Sequence, residues 1–130
     1  MKEIISPKKI TSDEWLRIME EAHLLGIPAS ATMMYGHVET YHDIAEHFSK
    51  ITELQKKTNC FMAFIPWSFE PNNTQMQNEG TTTYGSGGFQ LLKMIAISRL
   101  VFDELIPHIQ STPNIQATGE IIIIKVLVYM

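Results

Sequence analysis

The chain has 130 residues, of which 45% are hydrophobic and 18% are charged, as in a folded globular domain. Ten Lys and Arg against 14 Asp and Glu give a net charge of −4, which argues against a nucleic-acid binder or attraction to an anionic membrane. The single cysteine, Cys60, excludes a disulfide framework and a Cys-rich zinc module. Since no apolar run is long enough for a signal peptide or a membrane span, we expect a cytoplasmic protein.

Three helices are predicted from capping signals and apolar periodicity. The first covers Ser12–Leu25 and follows Thr11, which precedes Glu14 by three residues, the spacing of a capping box. The second begins after Thr40, which has the same spacing to an aspartate, and ends at Asn59. The third covers Phe89–Leu105 and is apolar over a wide arc.

Three strands are predicted between and after these helices. Ala29–Tyr35 and Phe61–Trp67 are short, nearly continuous apolar runs, which is typical of strands buried on both faces of a parallel sheet. Ile106–Gln110 is a third, shorter candidate. The alternation of helices and strands predicts an α/β fold in which each crossover is right-handed.

Two segments do not follow this alternation. Ser68–Gly88 is long and polar, and a loop of that length inside a compact domain is usually functional or disordered. Its last four residues could hold an anion at a helix N-terminus, although the phosphate-binding lysine of a P-loop is missing. The Ile-rich run Glu120–Met130 is interpreted as a strand or an aggregation-prone tail.

Polar residues follow the first two strands at the points where ligands bind in α/β proteins. After the first strand, His37 and Glu39 are candidates to bind, orient or exchange protons with a ligand. Alternatively they form only a turn and a helix N-terminus, where the helix dipole favours Glu39. After the second strand, Trp67–Thr74 combines aromatic, carboxylate and amide groups that suit an organic ligand bearing a ring and hydroxyls. The alternative is a strand exit whose aromatic side chains close the core.

The sequence gives no metal site. His37, His42 and His47 are five residues apart, and on a helix this spacing turns the last two away from each other, as expected for a solvated helix face. Cys60 is expected to be a small buried residue, since one cysteine cannot hold an iron–sulfur cluster.

Two longer stretches resemble a known family. Ala31–Thr40 (ATMMYGHVET) and Phe64–Thr74 (FIPWSFEPNNT) are similar to signature stretches of the radical S-adenosylmethionine enzymes of futalosine-type menaquinone biosynthesis. Trp67–Pro71 favours the cyclic dehypoxanthinyl futalosine synthases over two sibling groups, the aminofutalosine synthases and the coenzyme F420 deazaflavin synthases. The resemblance covers roughly Ser12 to Ser111.

The resemblance implies a fold, a reaction and a set of contact residues. The fold would be a (β/α) TIM-type barrel, with S-adenosylmethionine and a [4Fe–4S] cluster as cofactors. The reaction would convert a small nucleoside-derived molecule, dehypoxanthine futalosine, to its cyclic product. The residues expected to contact S-adenosylmethionine or substrate are Tyr35, His37, Glu39, Trp67, Glu70 and Gln110, with no catalytic role assigned to any of them.

The chain also departs from that family. The three-cysteine motif that binds the cluster is absent, and residues 112–130 do not resemble the family's sequence. We therefore expect a partial radical S-adenosylmethionine barrel over residues 1–111, followed by an atypical, frameshifted tail. Such a chain is expected to be marginally stable and inactive alone, because three or four strands cannot close a barrel. The alternatives are a non-enzymatic half-barrel that needs a partner chain carrying the N-terminal barrel half, and a gene remnant without function.

Overall fold

The computed structural model describes residues 8–70, 78 and 88–111. Over these ranges three helices alternate with three strands, which confirms the predicted α/β class. The elements in chain order are α1 Ser12–Leu24, β1 Ala29–Tyr35, α2 Tyr41–Thr58, β2 Phe61–Ser68, α3 Gly88–Phe102 and β3 His108–Ile109. Most of the predicted polar loop, residues 71–77 and 79–87, lies outside the described residues, as does the tail from residue 112.

The helix ends follow local backbone chemistry. Thr11 and Thr40 are N-caps, and each forms a complete capping box with the acidic residue three positions on. Asn59 ends α2 in the left-handed conformation, with φ 52°. The predicted end of α3 at Leu105 is wrong, because Asp103 adopts φ 43° and turns the chain out of the helix directly after Phe102.

The strands form one parallel sheet in the order β1-β2-β3. β3 is shorter than the predicted Ile106–Gln110, and Pro66 explains where it stops. The backbone N–H of Gln110 donates to the carbonyl of Phe64 at 3.0 Å, so alternate residues of β2 face β3. Pro66 is the next β2 residue whose backbone faces β3, and it has no N–H to continue the hydrogen-bond ladder.

One face of the sheet is covered by the helices. Ala31 pairs with Phe64, Phe64 pairs with Ile109, and all three are buried. The Phe64 ring lies 5.4 Å from that of Phe48 in α2 and 4.7 Å from that of Phe102 in α3. The core therefore lies between the sheet and the helices.

The opposite face of the sheet carries the alternate residues of each strand, and we call it the open face. On this face Thr32 pairs with Ile65 and Met34 pairs with Trp67. In β3 the first residue on this face is His108, which pairs with the β2 residue two positions before Ile65. Ala63, which pairs with His108 on this face, is buried. The other side chains in these rows are exposed or half-buried: Thr32, Met34, Ile65, Trp67, His108 and Gln110. Because side chains alternate along a strand, burial of one set leaves this second set free for contacts.

Within the described ranges, none of the helices has the length and apolar character needed to cross a membrane.

Candidate functional site

The segments that follow β1 and β2 lie against each other, and together with Gln110 we call them the carboxyl edge. The backbone N–H of Phe69 donates to the carbonyl of Tyr35 at 2.6 Å. The rings of His37 and Phe69 meet edge to face, with centroids 5.8 Å apart. The two polar clusters predicted from the sequence are therefore neighbours at the carboxyl ends of parallel strands.

Glu39 folds back onto the start of its own loop. Its Oε1 accepts the backbone N–H of Gly36 at 2.5 Å, and its Oε2 accepts that of His37 at 2.9 Å. Gly36 adopts φ 90°, a conformation that residues with a Cβ rarely take. The loop thus presents two successive N–H groups to one carboxylate, in the manner of backbone anion-binding concavities.

The side chain of His37 is almost completely covered. Its Nδ1 lies 2.7 Å from Oε2 of Glu39 and 2.7 Å from the backbone N of Val38. Only one of these contacts is a hydrogen bond at a time: an unprotonated Nδ1 accepts the N–H of Val38, and a protonated one donates to Glu39. Burial lowers the pKa of His37, while Glu39, the backbone of Met34 and Asp43 act in the opposite direction. Burial thus favours the neutral imidazole, which lies beside a fixed carboxylate.

Tyr35 lies in the core and does not join the other candidates on the open face. Its side chain shares the covered face with Ala31 and Met33, since residues two apart in a strand point the same way, and it is 3% exposed. Its hydroxyl has no hydrogen-bond partner among the described residues. Burial raises its pKa. Its backbone carbonyl, which binds Phe69, is the part that belongs to the carboxyl edge.

Trp67, Glu70 and Gln110 are exposed, but they occupy different places. Trp67 is 46% exposed and lies on the open face opposite Met34. Gln110 lies on the same face, one strand along, whereas Glu70 lies at the end of the described part of the second loop. The structure thus brings Trp67 and Gln110 to one surface and His37 and Glu39 to the loop at its edge.

His108 and Thr32 also lie on the open face and were missed from the sequence. Both side chains are exposed. Counting two residues back from Gln110 along β3 would have found His108, because that interval returns to the same face of a strand. Thr32 stood in an apolar run, where its polarity gave no separate signal.

The remaining histidines and the cysteine lie away from the carboxyl edge. His42 is exposed, as expected, but the prediction of a solvated face is wrong for His47. His47 precedes Phe48 on the buried side of α2, its ring is 6.3 Å from that of Phe64, and its Nε2 is buried without a partner among the described residues. Cys60 is half-buried at the other end of β2, with Sγ 3.7 Å from the carbonyl of His23. A search of the described residues finds no cluster of three His, Cys, Asp or Glu able to bind a metal ion.

A cavity of about 540 Å³ lies between the N-terminal part of α1 and the middle of α2. Trp15, Leu16 and Ile51 supply apolar walls, and His47 and Lys50 are also part of its lining. Lys50 bonds Glu46 at 2.8 Å and Ser12 at 3.1 Å. None of the six predicted contact residues lines this cavity, which is therefore separate from the carboxyl edge.

No protein-family model matches the chain. Several proteins are similar to this chain over most of its length. The relative from Methanocaldococcus jannaschii is 44% identical over 108 residues, and a second from Methanococcus maripaludis is 42% identical over 107 residues. A third, from Methanosphaerula palustris, is 42% identical over 103 residues. All three are named as a 5-amino-6-(D-ribitylamino)uracil--L-tyrosine 4-hydroxyphenyl transferase.

These names overturn the narrower sequence assignment. The matches cover 83%, 82% and 79% of the chain, and the shared name is that of a transferase. The assignment to the futalosine cyclases, and with it the menaquinone pathway, is therefore wrong. That assignment rested on two short stretches, Ala31–Thr40 and Phe64–Thr74, with Trp67–Pro71 favouring the cyclases, whereas the similarity to the transferases extends over more than 100 residues. The chain spans about 30% of the length of these relatives.

Proposed function

We propose that the chain forms part of an enzyme that transfers the 4-hydroxyphenyl group of L-tyrosine to 5-amino-6-(D-ribitylamino)uracil. One observation carries this proposal: relatives 38–44% identical over most of the chain share that name. The sibling group of deazaflavin synthases, an alternative raised by the sequence, agrees with it better than the cyclases do. The geometry is compatible, since polar side chains meet at the carboxyl ends of parallel strands.

We further propose that the sheet is a segment of a (β/α) barrel. Three parallel strands in sequential order, with the core on one side only, are what three consecutive units of such a barrel provide. In that arrangement the open face would line the barrel interior. The outer edges of β1 and β3 would then pair with further strands from outside the described residues.

The residues of this chain do not fit a [4Fe–4S] cluster. Such a cluster needs several thiolates, and the chain has one cysteine, which lies at the amino end of β2. A cluster in the complete enzyme would need ligands from elsewhere.

S-adenosylmethionine fits the loop after β1 better. The molecule carries a sulfonium and an ammonium group, and the Glu39 carboxylate is held in place by two backbone N–H groups. A carboxylate has about four acceptor positions, so it retains capacity for a cationic ligand group. When bound, S-adenosylmethionine would supply the radical chemistry that the resemblance implies. The role proposed for Glu39 is to orient that cation, and the neutral ring of His37 would complete the wall beside it.

A chimeric enzyme tests the proposal. Residues 8–111 of this chain would replace the matching segment of the Methanocaldococcus jannaschii relative, whose own N- and C-terminal parts would be kept. We expect the chimera to form the transfer product from L-tyrosine and the ribitylaminouracil under reducing conditions with S-adenosylmethionine.

Two controls make a negative result informative. The unmodified relative shows that the assay works, and circular dichroism with iron quantification shows that the chimera is folded and loaded. A folded, iron-loaded chimera that forms no product would overturn the proposal.

A further inference from the structure

The open face has an aromatic ring and several hydrogen-bonding side chains within a short distance of one another. Neighbouring strands lie about 4.8 Å apart and alternate residues of one strand about 6.6 Å apart. Gln110 directly follows the strand next to that of Trp67 and by its register lies across from Ile65, which is two residues before Trp67. The Cα atoms of Trp67 and Gln110 are therefore separated by about 8 Å. His108 lies two residues before Gln110 on the same face. Thr32 lies on the other side of Ile65 from Gln110, in β1.

These side chains are available for a ligand. The side chains of Gln110 and Thr32 form no hydrogen bond with any described residue, and both are exposed. Trp67 exposes nearly half of its surface, although an indole of that size is usually well covered in a folded protein. Half-buried Met34 and Ile65 supply apolar surface between the polar groups.

The chemistry of this face matches a flat, polar ring. A primary amide such as that of Gln110 offers one donor and one acceptor side by side, which complements the alternating N–H and C=O groups of a uracil edge. An exposed indole offers a surface on which a planar ring stacks. A phenol has only one polar atom and would leave most of these groups unpaired, at a cost.

We propose that the open face binds the uracil ring of the acceptor substrate, with the ring stacked on Trp67 and its polar edge hydrogen-bonded to Gln110. His108 and Thr32 lie beside it and face the ribityl hydroxyls. This inference rests on the proposed function for the identity of the substrate. By the proposed function, S-adenosylmethionine occupies the separate loop of His37 and Glu39.

A binding experiment on the chain itself is the first test. The probe is 5,6-diaminouracil, titrated into the ¹⁵N-labelled chain and followed through the indole N–H signals of the two tryptophans and the side-chain amides. A ring of this size is expected to bind with a Kd of about 1 mM. We expect saturable shifts for Trp67 and Gln110, and none for Trp15, which lines the separate cavity.

Variants at Gln110 identify the contact. Gln110→Leu is expected to weaken binding of the probe about tenfold, since two hydrogen bonds are lost. Gln110→Glu keeps the shape of the side chain, removes the donor and is expected to weaken binding similarly. Gln90→Leu, an exposed position on α3, is the matched control and should leave the affinity unchanged. Retained dispersion of the backbone signals shows that each variant is folded.

Several outcomes would overturn the inference. These are the absence of a shift at Trp67 up to about 10 mM probe, unchanged affinity in folded Gln110→Leu, or a Trp67 shift caused by L-tyrosine in place of the uracil.

The chimera separates this inference from the proposed function. Gln110→Leu should raise KM for the ribitylaminouracil about tenfold and leave KM for L-tyrosine unchanged. If the chimera is active and neither KM changes, the inference fails and the proposed function stands. If the chimera is inactive, the proposed function fails and the titration still decides the inference.

Discussion

Glu39 contacts His37 twice: its Oε2 accepts the backbone N–H at 2.9 Å and lies 2.7 Å from Nδ1 of the ring. The backbone contact fixes the shape of the loop. The ring contact sets the position of the imidazole relative to a negative charge. The same carboxylate therefore holds the shape of the loop and supplies its negative charge. Comparing Glu39→Ala with Glu39→Gln separates these two roles.

Replacing Glu39 tests how the loop is held. Glu39→Ala removes both acceptors, and we expect amide hydrogen exchange at Gly36 and His37 to accelerate at least tenfold, because these N–H groups lose their partners. Glu39→Gln retains one acceptor and should give a smaller effect. In the chimera both variants should reduce kcat/KM, with Glu39→Gln separating loss of charge from loss of loop shape.

Glu53→Gln is the control for these variants, since Glu53 is an exposed residue of α2. It should change neither exchange nor activity. Unchanged exchange at Gly36 in Glu39→Ala would contradict the account of the loop.

Stability is expected to fall in mild acid. Burial lowers the pKa of His23, His37 and His47, so each binds a proton more readily in the unfolded chain than in the folded one. The resulting stabilisation is complete above the ordinary histidine pKa of about 6.5 and is lost as pH falls below it through the lowered values. The free energy of unfolding, measured in urea between about pH 8 and pH 5, should decrease over that window.

His47→Leu tests the contribution of one of these groups. The charged neighbour of His47 is Lys50, which lowers its pKa further, whereas the backbone of Thr32 acts in the opposite direction. We expect the variant to flatten the pH dependence. His42→Leu, at an exposed position of the same helix, should leave it unchanged, and an equal effect of the two substitutions would show that burial is not the cause.

Gln55 joins three parts of the fold through its side-chain amide. Its Nε2 donates to the carbonyl of Leu105 at 2.7 Å and to that of Phe61 at 3.1 Å, and its Oε1 accepts the N–H of Phe61 at 2.8 Å. Gln55→Leu leaves these backbone groups unpaired in the interior, so we expect a loss of roughly 3 kcal/mol in the free energy of unfolding. Gln90→Leu on the surface of α3 should change it by less than about 0.5 kcal/mol.

Replacing Tyr35 tests the opposite case, in which the substitution removes a polar group that forms no hydrogen bond with a described residue. Its hydroxyl is buried without a partner among the described residues, which costs free energy. We expect Tyr35→Phe to unfold at the same urea concentration as the parent chain or at a higher one. A loss of more than about 1 kcal/mol would show that the hydroxyl has a partner.

Local patterns predicted the elements well. Thr11 and Thr40 begin their helices as expected, because a capping box depends on residues within one turn. The reversal at Asn59 was predicted as a helix end, whereas that at Asp103 had no comparable sequence signal. The length of β3 depended on Pro66, a residue more than 40 positions away, and so needed the register of the sheet.

The site was predicted only in part, because some of its features depend on the register of the sheet. Because carboxyl ends of parallel strands share an edge, the loops after β1 and β2 were expected to meet, and they do. Which face each side chain occupies depends on register. Tyr35 on the covered face and His108 on the open face therefore became apparent only with the sheet in place.

The fate of the tyrosine ring in the chimera shows whether the 4-hydroxyphenyl group is transferred to the uracil. Incubation with ring-¹³C-labelled L-tyrosine and the ribitylaminouracil, followed by mass spectrometry, reports whether the labelled ring joins the uracil. We expect a labelled transfer product whose formation requires S-adenosylmethionine. A folded, iron-loaded chimera that leaves all of the ring label in tyrosine would contradict it.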